Sequence, residues 1–111
     1  MYEYLATVIR VVDGDTVSLR ADLGMDVSNT KHFRLAGIDA PERGRPGGTE
    51  ATAWLTEKLK ARTEITIKTS KDKREKHGRY LAEIYLPGDA TSINQQMIEA
   101  GHAVAYDGGK R

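Results

Sequence analysis

Apolar and polar residues alternate with a period of two along most of the chain, which is the signature of half-buried strands. Tyr4 to Val12 is a run of apolar and β-branched residues, and Thr16 to Asp22 reads as its antiparallel partner. The Asp13-Gly14 pair between them is a strong hairpin signal, with glycine expected to take a positive φ. Leu23 to Thr30 reads as a polar loop. His32 to Ile38 reads as a third strand, with Phe33, Leu35 and Gly37 on one face and Arg34, Ala36 and Ile38 on the other. Pro41 stops it, because proline has no donor for a strand ladder. Arg43 to Gly48 reads as a flexible loop.

The period then changes. Ala51, Leu55 and Leu59 recur at i, i+4 and i+8 with Trp54 beside them, which predicts a helix from an N-cap at Thr49 to about Arg62. Glu50 falls in its first turn, where a negative charge suits the helix dipole. Glu64 to Lys68 and Tyr80 to Leu86 return to strand alternation, separated by a basic loop from Lys71 to Gly78. Ser92 is placed to cap a short helix with Ile93, Met97 and Ile98 inward, and Gly101 to end it. Ala103 to Tyr106 is a last extended piece. About five strands, with a helix between the third and fourth, form an α+β, mainly β chain. That is the element order of a five-stranded barrel of the oligonucleotide-binding (OB) type with two or three flanking helices. We read residues 1–111 as one such domain.

Composition narrows the classes of function. The chain is 39% hydrophobic and 30% charged, with no apolar run near the roughly 20 residues of a membrane span. No membrane partner is expected. Met1-Tyr2-Glu3-Tyr4 runs into a strand pattern without signal-peptide features, which leaves the compartment unknown: cytoplasmic, or secreted with the signal absent from this chain. The lack of cysteine excludes disulfides and thiolate metal sites. His32, His77 and His102 lack zinc-ligand spacing. The net charge of +1 is unremarkable, but its distribution is not. Lys68 to Arg79 carries six lysines and arginines against Asp72 and Glu75, while Asp13, Asp15, Asp39 and Glu42 are gathered elsewhere. Such separation suits a protein that holds both a cation and a polyanion.

Candidate chemistry follows from those carboxylates. Asp15 lies beyond the turn, and Asp39 and Glu42 end a strand three residues apart. Oxygen ligands such as Asp15 and Asp39 suit a hard cation, calcium or magnesium. Glu42 is the candidate to orient or deprotonate a water. Arg34 and Arg79, on separate strands, are placed to grip one phosphate and stabilise charge growing on its oxygens. Each residue also has an ordinary reading: solvated strand-end carboxylates, an outward-facing strand arginine, loop charges. Tyr106 and Trp54 read more simply as core or rim aromatics.

Three motifs resemble the staphylococcal nuclease (thermonuclease-like) family: Val-Asp-Gly-Asp-Thr at 12–16, Phe-Arg-Leu-Ala-Gly-Ile-Asp-Ala-Pro-Glu at 33–42 and Gly-Arg-Tyr-Leu-Ala at 78–82. The resemblance covers nearly the whole chain in the right order. It implies an OB-type barrel and calcium-dependent hydrolysis of DNA and RNA phosphodiesters leaving 3′-phosphate ends. It implies Asp15 and Asp39 as calcium carboxylates, with Ala40 contributing its backbone carbonyl where the family often has threonine. It implies Glu42 as the residue acting on water, Arg34 and Arg79 as the phosphate-gripping arginines and Asp13 as an outer carboxylate. Lys76, His77 and Tyr106 become candidates for nucleotide binding, with His77 standing where the best-known member has tyrosine.

The expected function is therefore calcium-dependent hydrolysis of DNA or RNA, with single-stranded or breathing duplex substrate favoured by the loop at 43–48. The alternatives are a non-catalytic nucleic-acid- or protein-binding barrel and a phosphodiesterase acting on small nucleotides. Long forms of the family continue into a C-terminal helix. Exposed apolar surface or self-association is expected where that helix would pack. The residues specify no oligomeric state.

Overall fold

The computed structural model describes residues 2–71 and 80–106. The two strands flanking the Asp-Gly pair, β1 (Tyr2–Asp13) and β2 (Thr16–Asp22), form an antiparallel hairpin whose turn is Gly14-Asp15. Gly14 is not at positive φ. Its glycine requirement has another cause: a Cβ there would lie 2.7 Å from the carbonyl oxygen of Pro41 and 3.3 Å from the Ala51 side chain. The absent side chain lets the loop after the third strand lie directly on the hairpin.

The third strand, β3 (Ser28–Leu35), starts earlier than its polarity suggests. Ser28 to Thr30 continue the ladder against Asp22 to Arg20 and face solvent, so the polar run is strand rather than loop. Leu23 to Val27 form the tight connection. The strand also ends earlier, because Gly37 takes a φ of 74° and breaks the alternation. Ile38 is thereby turned inward and buried, against the expected outward placement, and opens the two-residue strand β4 (Ile38–Asp39).

Helix α1 (Gly48–Lys58) follows, then β5 (Glu64–Lys71), β6 (Tyr80–Tyr85), helix α2 (Ile93–Glu99) and strand β7 (Val104–Ala105). β1, β2, β3, β6 and β5 close into a mixed barrel of the OB type, sealed by a parallel seam between β3 and β6. Inward residues of every strand fill it: Val8 and Val11, Val17 and Leu19, Phe33 and Leu35, Ile65 and Ile67, Ala82 and Ile84. α1 adds Ala51 and Leu55 to this core, and α2 adds Ile93 and Met97. β4 and β7 pair separately, with Asp39 opposite Val104.

Helix boundaries depart from the sequence reading in one helix and agree in the other. α1 is capped by Gly47 at a φ of 83° with no side-chain bond, so Thr49 lies inside the first turn. It stops at Leu59, which turns into the core, and Arg62 takes a φ of 71°, so the helix does not reach it. In α2, Ser92 accepts the Gln95 N–H at 3.1 Å as predicted. Gly101, at a φ of 84°, ends the helix in a Schellman motif, its N–H on Ile98 and that of His102 on Met97.

Candidate active site

The turn Gly14-Asp15 places Asp15 at one end of the barrel, where the backbone pins it: its carbonyl accepts the Leu35 N–H at 2.8 Å. The Asp15 side chain is buried and accepts from the Thr16 hydroxyl at 3.0 Å. Its other oxygen accepts from the Arg34 guanidinium at 3.3 Å. Arg34 sits opposite Thr16 across the β2–β3 ladder, which is why residues nineteen apart meet. Its Nε is buried and has no hydrogen-bond partner among the described residues. The guanidinium fork is thus only partly engaged, and an anion would complete it.

Burial pushes the Asp15 carboxyl above its ordinary pKa, and the negative charges of Asp13 and Asp39 push the same way. Arg34 and the Thr16 hydrogen bond oppose this without cancelling it. Buried like charges of this kind favour either a proton or a cation.

Asp39 and Glu42 arrive on the segment after Gly37. Two backbone approaches hold it. Gly14 admits Pro41, as described, and Gly48 packs so closely on the carbonyl of Glu42 that a Cβ would overlap it. Asp13 adds a third hold, its Oδ1 accepting from the Gly14 N–H at 2.9 Å and from the Arg43 N–H at 2.8 Å. Asp13 is therefore a tether for the Glu42 loop as well as a turn residue.

Asp15, Arg34, Asp39, Ala40 and Glu42 line one cleft of about 850 Å³. Arg79, Lys76 and His77 lie outside the described residues. Tyr106 is half-buried, donates its N–H to Gly37 at 2.9 Å and does not line the cleft. Three lining side chains were not singled out from the sequence: Arg45, Glu50 and His102. His102 packs on Trp54, ring centroids 5.9 Å apart, which gives that tryptophan a place in the cleft wall's support. Helical periodicity flagged Trp54 only as apolar; nothing in the spacing connects it to His102.

The donors fit a hard cation in kind. Asp15, Asp39 and Ala40 offer only oxygen, and the carboxylates are near enough to raise the pKa of Asp15. Among the described residues no three or more acidic or imidazole side chains cluster for a metal. Backbone carbonyl and water would therefore complete the shell, as such ions accept.

Residues 32–111 match the family described as Staphylococcal nuclease homologue. The chain belongs to this family. It is 35% identical over 101 residues to a protein of Escherichia coli O157:H7 called an uncharacterized endonuclease, covering 90% of this chain and 60% of that protein. It is 33% identical over 111 residues to a micrococcal nuclease of Shigella flexneri, covering 94% and 59%. A third relative, Endonuclease YhcR of Bacillus subtilis (strain 168), is 28% identical over 115 residues, covering 94% of this chain and 9% of its own length. The chain thus spans about 60% of the first two relatives.

Proposed function

We propose that the chain is a metal-dependent nuclease that hydrolyses phosphodiester bonds of DNA or RNA, with calcium preferred over magnesium. The observation that carries this reading is the convergence of Asp15, Arg34, Asp39, Ala40 and Glu42, from two strands, a turn and a loop, on one cleft. The endonuclease and nuclease names of the relatives support the same reading.

Asp15, Asp39 and the Ala40 carbonyl would hold the ion, which when bound supplies electrostatic polarisation of the scissile phosphate. Glu42 orients the attacking water and accepts its proton. Arg34 donates to the phosphoryl oxygens as charge grows on them, and Arg79 is proposed as its partner. The open side of the cleft favours unpaired or breathing strands.

The test is hydrolysis of denatured DNA with calcium, with chelator, and by Glu42→Ala with calcium. Cleavage is expected only in the first, and equal rates in all three would overturn the reading. Arg34→Ala is expected to lower kcat by about 10²–10³, the scale of losing one transition-state donor.

A further inference from the structure

The outer face of the β1–β2–β3 sheet runs away from the cleft in three rungs set by strand register. The first is Asp13, Thr16 and Arg34; the second Arg10, Ser18 and His32; the third Thr7, Arg20 and Thr30. A register shift in β1 between Val8 and Arg10 creates the second rung. Strict alternation would point Arg10 inward with Val8; the irregularity turns it outward opposite Ser18, while Val11 stays in the core. Successive rungs are about 6.6 Å apart, two residues of strand rise.

Each rung carries a cation: Arg34 on β3, then Arg10 on β1 with His32 of β3 across from it, then Arg20 on β2 itself. Rungs two and three contain no carboxylate. Thr16 and Ser18 are short and buried, so β2 forms a low floor at the first two rungs, and Arg20 stands on it at the third.

Hollows follow the same line. A depression of about 210 Å³ joins His32 and Arg34 to the acidic end of the barrel at Asp13, Asp15 and Glu42. A second, of about 390 Å³, lies at Thr7 and Arg20 and is bounded by Asp22 and Asp26. Those two carboxylates share the hollow with Arg20, so a polyanion reaching Arg20 goes no further along it.

We propose that this face is a second binding site, a track for the sugar–phosphate backbone of an unpaired nucleic-acid strand leaving the cleft. It holds one phosphate near Arg10 and His32 and the next near Arg20. No Phe, Tyr or Trp stands in the three rungs for a base to stack on, so contacts are to the backbone and independent of base. The track deepens the nuclease reading and rests on it for the identity of its ligand.

The test measures binding of labelled oligothymidylate by fluorescence anisotropy in chelator across a salt series, using a dinucleotide and an octanucleotide. The wild type is expected to bind the octanucleotide better, with a salt slope that falls by about 0.7 for each phosphate contact removed. Arg10→Gln and Arg20→Gln together should weaken octanucleotide binding roughly tenfold, remove most of the length dependence and lower the slope by about 1.4. Lys60→Gln, the same charge change as either arginine variant alone but past the end of α1, should alter neither. Circular dichroism melts verify that each variant is folded, and each arginine changed singly should give half the slope change. Octanucleotide binding that is absent in the wild type, or unchanged in the double variant, overturns the track. A wild type that binds as predicted but cleaves nothing with calcium supports the track and overturns the nuclease reading.

Discussion

Gly48 and Gly14 are small because backbone passes where their side chains would stand. A Cβ on Gly48 overlaps the Glu42 carbonyl, and both atoms belong to main chain that cannot swing aside. Gly48→Ala is therefore expected to cost about 1–3 kcal/mol by urea denaturation despite alanine's better helix propensity. On the proposed nuclease reading, turnover should fall further than stability accounts for, by about 10²-fold, because Glu42 is displaced. Asp15 has the opposite economy. Its carboxyl titrates above the ordinary 3.8 in the folded chain, so its charge opposes folding at neutral pH. Stability is lost as pH rises from below 3.8 through the raised folded value. Without metal, Asp15→Asn should melt higher than wild type at pH 7, and the difference should vanish below pH 3.8. An unchanged or lower melting temperature at pH 7 would refute this. Asp15, Arg34, Asp39 and Glu42 were legible as candidate chemistry from their residue types at a turn, a strand and a strand end, and the family motifs singled them out from ordinary surface charge. Gly48 was legible only as loop: its constraint comes from a segment six residues away that folds back upon it.

At the scale of elements, capping and periodicity read well where local rules act alone. Ser92 and Gly101 bound α2 because both caps are made within a turn of chain. α1 and β3 shifted because tertiary neighbours decide their ends: Leu59 leaves the helix to reach the core, and Ser28 to Thr30 are held extended by β2. Asn94 joins three parts of the fold. From α2 its side chain donates to the carbonyls of Ala36 at 2.8 Å and Ala82 at 3.0 Å, and accepts the Ile84 N–H at 3.0 Å. It thus fastens the helix to β6 and to the turn that launches β4. Asn94→Ala leaves these backbone groups without their partner, at about 1–3 kcal/mol for each that stays buried and unsatisfied. A loss of at least about 3 kcal/mol is expected in chemical denaturation, and Asn94→Asp, which sets a carboxylate oxygen against the two carbonyls, should lose no less.

For the whole molecule, the barrel separates charge. One end gathers Asp15, Asp39 and Glu42, while cations line the outer sheet below them. A cation bound by the folded state alone shifts the unfolding equilibrium, by about 2.7 kcal/mol at a hundredfold excess over its Kd. Thermal melts should rise with calcium and return with chelator. Asp39→Ala should abolish the rise, and an equal rise in that variant would argue against Asp39 as a ligand.

The hydrophobic period, the two α2 caps and the family motifs are properties of short windows of chain, and from them the sequence alone determined the strand and helix order, the family and the candidate site residues. Only the tertiary structure decided why Gly14 must be glycine, where α1 and β3 end, that Ile38 turns inward and that Arg10 turns outward. Those outcomes depend on which backbone lies against which, and residues up to tens of positions apart fix that together.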